Sequence, residues 1–332
     1  MPELTALQRI VESRLPRFLA ELEQLVNIDC GSYTPEGVNR VADHVAETLR
    51  SLGADVDRVP HEPVNDAPRL GDLLIGRIAG DGARVLLIGH MDTVFDPGTA
   101  ADRPFRITGD RATGPGVTDM KAGLLAGLHA VAALQEAGSR PSITFVANPD
   151  EEIGSPFSTP YIRELAPGHD AVLVLECARA NGDIVSARKG IADYHLTLTG
   201  RAAHAGVEPE KGRSAILEAA HQVIALHELN GRWPTVTVNA GVIHGGTRPN
   251  VVAERCELQL DLRASTVDAF DAAAAEIERI ASSPSVDGVR ADLQRIAGHP
   301  PMEKSDASAR LVQIAVAIAS ELGFGLRDAA TG

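Results

Sequence analysis

The spacing of apolar positions in the first half of the chain predicts helices packed against a sheet. Apolar residues recur at helical spacing over 5–27, and a second amphipathic helix is predicted at 37–52. Short apolar runs near 54–59, 73–78 and 84–88 predict strands between these helices and the next. This alternation indicates an α/β fold, a catalytic-type α/β/α domain with a mostly parallel mixed sheet.

Near residue 184 the pattern changes and predicts a second compact unit. Strands and helices follow in the order βαββαβ, which is the split-βαβ, ferredoxin-like order of an α+β domain. The predicted segments are strand 191–198, helix 212–227, strand 235–243, strand 253–262, helix 267–281 and strand 288–296. A helix at 303–322 then resumes the first pattern. We therefore predict an inserted domain at 187–300 and a first domain formed by 1–186 and 301–332.

Two polar residues follow the apolar strand at 85–88. His90 and Asp92 are two positions apart, so their side chains can lie on one face of the sheet. Open α/β sheets place their sites at the carboxyl ends of such strands. A carboxylate often holds the second ring nitrogen of a metal-bound histidine, and Asp92 is placed to hold that of His90. An ordinary turn at the strand end is the alternative for this pair.

A glycine-rich segment brings Asp119 close to the start of a predicted helix at 124–135. Gly114 and Gly116 let the backbone bend tightly just before it. The carboxylate of Asp119 either caps the helix N-terminus or bridges two metal ions. The pattern alone allows both roles.

Acidic residues also follow the strand predicted at 142–147. Asp150, Glu151 and Glu152 are consecutive, and like charges at close range oppose ionisation. A bound cation would stabilise them, whereas a solvated acidic loop is the alternative. Glu176 ends a further apolar strand and provides a fourth acidic position of this kind.

These positions together supply the nitrogen and oxygen ligands expected for zinc or a similar divalent ion. The candidate ligands are His90, Asp119, Glu152 and Glu176. Glu151 is then a spare carboxylate beside a metal-bound water, which is the position of a general base.

Composition and charge narrow the function classes. The chain has 31 Lys and Arg against 45 Asp and Glu, a net charge of −14. This argues against nucleic acid or an anionic membrane as the main partner. Three widely separated cysteines indicate neither a disulfide framework nor a CxxC metal site. The N-terminus mixes charged and apolar residues and no later run is long enough to span a bilayer, so we expect a cytoplasmic protein.

The motifs taken together resemble the M20 metallopeptidase family, and within it the bacterial glutamate carboxypeptidases (carboxypeptidase G type). The resemblance covers nearly the whole chain in the right order. It rests on GHMDTV (89–94), GPGVTDMKAG (114–123), NPDEEIGS (148–155), GRAAHAG (200–206) and GTRPNVV (246–252), and on Glu176, which follows an apolar strand.

The resemblance implies two zinc ions per subunit and a role for each residue of the site. His90 and Glu176 would hold one zinc, Glu152 would belong to the other, and Asp119 would bridge both. Asp92 would orient His90. Glu151 would act as catalytic base and acid. Members of the family have a cis peptide bond after the bridging aspartate, so we predict one between Asp119 and Met120.

Three residues of the inserted domain also match functional positions of the family. His204 would reach the active site of a partner subunit and stabilise the tetrahedral oxyanion, which implies a homodimer through this domain. Asn250 and Arg263 would grip the free carboxylate of the substrate. From the residues alone, His204 can equally be a turn histidine, and Arg263 can belong to a surface salt bridge.

The resemblance implies a metallo-carboxypeptidase or amidohydrolase. It would cleave the amide bond to a C-terminal residue, glutamate first of all, in peptides or N-acyl amino acids. A hydroxide bridging two zinc ions would attack the carbonyl, with Glu151 as base. The alternatives are an aminoacylase, dipeptidase or desuccinylase of the same family, and a truncated metal-binding dimer without turnover.

One departure from the family lies at the end of the chain. The family continues with a Gly-Gly-Ser/Thr-Asp segment and a later histidine that completes the second metal site, whereas this sequence ends at Gly332. We therefore expect a C-terminally shortened version of the enzyme, lacking one second-site ligand.

Overall fold

The computed structural model describes residues 4–331. Its contacts divide the chain into two compact units, the first ending at Cys177 and the second beginning at Ala178. Each has its own hydrophobic core.

The first unit contains a five-stranded mixed sheet with the strand order β1-β2-β6-β3-β7. Its elements are α1 (Leu4–Val26), α2 (Pro35–Ser51), β1 (Asp55–Val59), β2 (Leu73–Ile78), β3 (Arg84–His90), α3 (Thr99–Asp102), β4 (Arg106–Thr108), β5 (Arg111–Thr113), α4 (Ala122–Glu136), β6 (Ser142–Asn148), α5 (Thr159–Leu165) and β7 (Ala171–Val174). The strand β3 runs parallel to β6 and β7, and the pairs β1-β2 and β2-β6 are antiparallel. The carboxyl ends of β6, β3 and β7 therefore meet at one edge.

Both faces of this sheet are covered. Consecutive residues of its central strands are apolar, so each strand presents apolar side chains on both sides of the sheet. Leu87 packs in the larger cluster with residues of α1, α2 and α4. Its neighbours Leu86 and Ile88 pack on the opposite face, against side chains of α5. A strand buried on both sides reads as a continuous apolar run, which is the pattern of β3. The predicted helix-sheet-helix layering is confirmed.

The helix α4 forms the middle of the first core. The stretch Val117–Glu136 is long and apolar enough to span a membrane by length and composition alone. Most of it is buried inside the protein, and a core helix of a soluble domain has the same composition. The prediction that no run is long enough to span a bilayer is therefore wrong for this stretch. Because most of the stretch is buried in the protein, its length and composition are weak evidence for a membrane span.

The second unit is built on a four-stranded antiparallel sheet with the order β10-β11-β9-β12. Its elements are β8 (Ile184–Arg188), β9 (Gly190–Thr199), α6 (Ala215–His227), β10 (Thr237–Gly245), β11 (Arg255–Ala264), α7 (Val267–Ala281), β12 (Arg290–His299), α8 (Asp306–Glu321) and β13 (Asp328–Thr331). The run from β9 to β12 has the predicted βαββαβ order. Residues of α6 and α7 pack on one face of the sheet.

The end of the chain belongs to the same compact unit. The strand β13 pairs in parallel with β8, and the contacts group both with the second unit. The assignment of 301–332 to a discontinuous first domain stays a prediction.

Candidate metal centre

His90 is the last residue of β3 and is almost completely buried, with 1% of its surface exposed. Its Nδ1 atom lies 2.9 Å from the carbonyl oxygen of Asp92 and 3.3 Å from Oδ1 of the same residue. Its Nε2 atom faces the other way, 2.9 Å from Oδ1 of Asp119 and 3.3 Å from Oε1 of Glu176. One ring nitrogen is thus held by Asp92 while the other points at two carboxylates.

The carboxylate of Asp92 is also buried and accepts several hydrogen bonds. The hydroxyl of Ser32 donates to Oδ2 over 2.6 Å. The backbone amides of Glu151 and Glu152 donate to Oδ1 and Oδ2 over 3.1 and 3.2 Å. Asp92 therefore joins the histidine to the backbone that carries both glutamates, which is how supporting carboxylates orient metal ligands. A plain strand-end turn does not account for these contacts.

Asp119 lies in an irregular turn directly before α4. Gly116 has a φ of +71°, and a Cβ there would lie 2.7 Å from the Thr93 side chain, so both the backbone and the space require glycine. The peptide bond between Asp119 and Met120 is cis, as predicted. The residue preceding α4 is Lys121, which makes no side-chain cap. The alternative role of Asp119 as an N-cap is therefore not supported.

The acidic segment after β6 is anchored through its first residue. Asp150 is completely buried, and its Oδ2 accepts hydrogen bonds from the backbone amides of Phe157 and Ser158. Glu151 and Glu152 begin a short 3-10 turn and are half-buried. The alternative of a fully solvated acidic loop is wrong, since its backbone and first carboxylate are fixed by hydrogen bonds.

Glu176 follows β7 and is positioned by the packing of α4. The amide of Leu175 donates to the carbonyl of Ile88 over 2.8 Å, which continues the parallel pairing with β3. A Cβ on Gly123 of α4 would lie only 1.8 Å from the Leu175 carbonyl oxygen. Glycine at position 123 therefore lets the helix approach the backbone just before Glu176.

The ligand atoms converge closely enough to bind a metal ion. In one group, His90, Glu151 and Glu176 each offer an atom within 4.8 Å of the others. His90, Asp119 and Glu152 form a second such group. The two groups share His90, and their geometry does not separate Glu151 as a base from the ligands. The individual roles of these residues stay predictions.

The electrostatics of the cluster favour a positive charge among its acids. Burial lowers the pKa of His90, but hydrogen bonds and charges of Asp92 and Glu176 outweigh it and raise that pKa to about 11. Burial, followed by the charge of Asp119, raises the pKa of Glu152 to about 7. Burial also raises the pKa of Glu151. The raised pKa values mean that a nearby positive charge would stabilise the ionised acids, so the donor set suits a divalent metal ion.

The three predicted residues of the second unit fall at two separate places. His204 is exposed, and its Nδ1 accepts a hydrogen bond from the Gly206 amide over 3.2 Å. The Ala205 amide donates to the carbonyl oxygen of Asn250 over 3.0 Å, so His204 and Asn250 lie on adjoining segments.

Arg263 lies at the other end of β11. The loop of Asn250 connects Gly245 to Arg255, and the eight residue steps of extended strand from Arg255 to Arg263 span about 26 Å. The guanidinium Nε of Arg263 lies 3.1 Å from Oδ1 of Asp261, the salt bridge considered as its alternative role. Within one chain, Asn250 and Arg263 are therefore too far apart to grip one carboxylate.

Two residues of the site have no role in the sequence analysis. Ser32 contacts Asp92 across 60 positions of sequence, and no local pattern indicates that contact. Lys121 is 1% exposed, and its ammonium group donates to the carbonyl of Ile28 over 3.0 Å. A lysine inside a strongly apolar stretch was the signal that could have marked Lys121 as buried and hydrogen-bonded.

An α/β fold whose parallel strand ends gather a histidine and several carboxylates is typical of metal-dependent enzymes. Residues 186–289 match the family model of the M20 peptidase dimerisation domain. Carboxypeptidase G2 of Pseudomonas sp. (strain RS-16) is 33% identical over 312 residues, covering 93% of this chain and 74% of that protein. The chain belongs to the M20 family of metallopeptidases and is a peptidase or amidohydrolase, which confirms the predicted family and enzyme class.

Further similar proteins act on different substrates. The acetylornithine deacetylase of Vibrio cholerae serotype O1 is 30% identical over 270 residues, covering 75% of this chain and 68% of that protein. The crystal structure of aminopeptidase PepT from Bacillus cereus has a TM-score of 0.78 at 24% identity, covering 96% of this chain and 85% of that one. This last likeness shows the two-part α/β fold, which is also confirmed.

Proposed function

We propose that the chain is a two-zinc exopeptidase that releases a C-terminal residue, glutamate first of all, from peptides or N-acyl amino acids. The observation that carries this proposal is the convergence of His90, Asp119 and Glu176, with Nε2 of His90 within 3.3 Å of both carboxylates. The preference for glutamate is supported by the similarity to carboxypeptidase G2.

In this proposal His90 and Glu176 would hold one zinc ion, Glu152 would contribute to the other, and Asp119 would serve both. Asp92 keeps the histidine ring in the orientation that directs Nε2 at the acids, because it engages Nδ1. Divalent cations bound there would lower the pKa of a water ligand and would act as a Lewis acid toward the substrate carbonyl.

Glu151 is the proposed proton carrier. Burial raises its pKa from the ordinary value of a glutamate, which makes its carboxylate a stronger base than that of an exposed glutamate. Glu151 accepts the proton of the attacking water and delivers it to the nitrogen of the leaving amine. Its backbone amide is fixed by Asp92, which limits how far the side chain can move from the reaction centre.

His204 is the proposed donor to the oxyanion of the tetrahedral intermediate. Its Nδ1 accepts the Gly206 amide, so in the neutral ring the proton resides on Nε2, which is then available as a donor. Because Asn250 and Arg263 lie at opposite ends of β11, a carboxylate bound by both must meet them from two different chains. The match to a dimerisation domain supports a homodimer, in which such shared sites would form.

The test is the release of glutamate from a series of N-acyl-glutamates, with N-acyl-aspartates and N-acetylornithine as competitors. We expect the glutamate substrates to give the highest kcat/KM and zinc removal by a chelator to abolish turnover. A preference for N-acetylornithine would favour the second candidate, a deacetylase, which the 30% identity to acetylornithine deacetylase supports. One tightly bound zinc without hydrolysis would favour a metal-binding dimer.

A further inference from the structure

The shortest hydrogen bond to Asp92 comes from a residue outside every metal-site motif. The hydroxyl of Ser32 donates to Oδ2 over 2.6 Å, within the usual range for a hydroxyl bound to a carboxylate. The amides of Glu151 and Glu152 are 3.1 and 3.2 Å from the same carboxylate. Ser32 is 5% exposed, so water has little access to take its place. The hydroxyl is therefore the strongest single restraint on the Asp92 side chain.

The segment 28–32 that carries this hydroxyl is itself held from several sides. The amide of Thr93 donates to the Cys30 carbonyl over 2.9 Å, and the Ser32 amide returns a bond to the Thr93 carbonyl. The ammonium group of Lys121 donates to the Ile28 carbonyl. These bonds attach the segment to the residue after Asp92 and to the turn that contains Asp119. The position of Ser32 is thus fixed relative to Asp92 and to the turn that contains Asp119.

We propose that Ser32 is a positioning residue of the metal centre. Its hydroxyl fixes the Asp92 carboxylate, and through it the ring of His90 and the backbone amides of Glu151 and Glu152. The proposal rests on the function proposed above, because it takes the cluster around His90 to be the metal site. Ser32 is not among the predicted metal ligands, and its effect is transmitted by Asp92.

Loss of the hydroxyl leaves one oxygen of a buried carboxylate without its best donor. Asp92 then rotates toward the remaining donors, and the His90 ring and the two glutamate amides lose their common anchor. Substitutions of supporting residues around metal ligands cost 10- to 100-fold in metal affinity. We expect a loss of about this size for Ser32→Ala.

The experiment measures zinc affinity by competition with a chromophoric chelator and the visible absorption spectrum of the cobalt(II) form. Ser32→Ala is expected to bind zinc about 10- to 100-fold more weakly and to change the cobalt spectrum. Ser32→Thr keeps the hydroxyl and should restore both. Ser32→Cys replaces the hydroxyl by a somewhat larger thiol that is a weak donor, so it should behave like the alanine variant. The control is Ser51→Ala, whose exposed hydroxyl bonds only to the carbonyl of Thr48 within α2.

The outcomes separate this proposal from the function on which it rests. Weak or absent zinc binding by the unaltered protein would remove the metal centre itself. Tight zinc binding by the unaltered protein, with the same affinity and cobalt spectrum in Ser32→Ala or Ser32→Cys, would overturn only the role of Ser32. A general loss of folding in the alanine variant would appear as a lower unfolding temperature of the zinc-free protein, and the Thr and Cys variants then decide.

Discussion

Nε2 of His90 lies 2.9 Å from Oδ1 of Asp119, while Nδ1 of the same ring is engaged by Asp92. The histidine ends a strand and the aspartate precedes a helix, so the fold of the first unit brings these two atoms together from separate elements. One ring nitrogen, Nδ1, is therefore held by Asp92, and the other, Nε2, faces the carboxylate of Asp119. This arrangement fixes which nitrogen of His90 is available to a metal ion.

Replacing Glu151 by glutamine should separate proton transfer from metal binding. Glutamine has nearly the same shape but cannot accept a proton as a carboxylate does. We expect kcat to fall about 10²- to 10⁴-fold, the usual contribution of a general acid-base group, with zinc content unchanged. Steady-state kinetics and metal analysis of the same sample measure the two effects.

The matched control for this variant is Glu164→Gln, at an exposed position of α5. It should leave both kcat and zinc content as in the unaltered protein. If Glu151→Gln loses zinc together with activity, Glu151 is a metal ligand, as its grouping with His90 and Glu176 also allows.

Replacing Gly123 by alanine should destabilise the first unit despite the better helix propensity of alanine. Alanine gains about 1 kcal/mol over glycine inside a helix. The new methyl group would lie 1.8 Å from the Leu175 carbonyl oxygen, so α4 or the end of β7 must move. We expect a net loss of about 2 kcal/mol in the free energy of unfolding, together with weaker zinc binding through Glu176.

Denaturant unfolding of the zinc-free protein and chelator competition measure these two quantities. Gly168→Ala is the control, because a Cβ there meets nothing within 4 Å. Equal stability of Gly123→Ala and the unaltered protein would mean that the close approach of α4 to Leu175 does not exist in solution.

The stability of the zinc-free protein should fall as the pH rises. The pKa of Glu152 is raised from 4.5 to about 7, and that of His90 from 6.5 to about 11. In both cases the folded protein retains a proton that the unfolded chain releases, so each rise in pH favours unfolding. For Glu152 the stabilisation is lost as the pH rises from 4.5 to about 7, and for His90 as it rises from 6.5 to about 11.

Zinc should reduce this dependence, because the cation replaces the retained protons. Thermal unfolding with and without zinc at a series of pH values measures the effect. Zinc-free protein whose stability rises steadily between about pH 5 and pH 9 would contradict the sign argued here.

Two inactive variants should restore activity to each other if the sites are shared between chains. Glu151→Gln and His204→Ala are each expected to be inactive. A mixed dimer contains one site with an intact Glu151 from one chain and an intact His204 from the other. After random exchange of subunits, activity should reach about a quarter of that of the unaltered protein. Persistent inactivity of a mixture whose subunits demonstrably exchange would assign His204 to the site of its own chain.

The sequence was informative wherever a local pattern determined the structure. The apolar run of β3 and the βαββαβ order of the second unit follow from period and turn residues, and both are found. The acids at strand ends also lie together, because parallel strands bring their carboxyl ends to one edge. The cis bond at Asp119 came from the family resemblance and not from spacing.

The contacts that depend on distant pairing were beyond local patterns. The bond from Ser32 to Asp92 joins residues 60 positions apart, and the close approach of Gly123 to Leu175 joins a helix to a strand end. The separation of Asn250 from Arg263 follows from the register of β10 on β11, which turn chemistry and packing decide. These contacts and distances exist only in the assembled sheet, so no local sequence pattern predicts them.

The hydrogen bonds that meet at Asp92 come from backbone amides, a hydroxyl and a ring nitrogen, all supplied by the chain itself. The position of the Asp92 carboxylate is therefore fixed by the fold of the first unit itself. A metal ion that binds beside a carboxylate held in this way loses little of its binding free energy to ordering the protein. It can consequently be exchanged for another ion of similar size while the polypeptide stays folded.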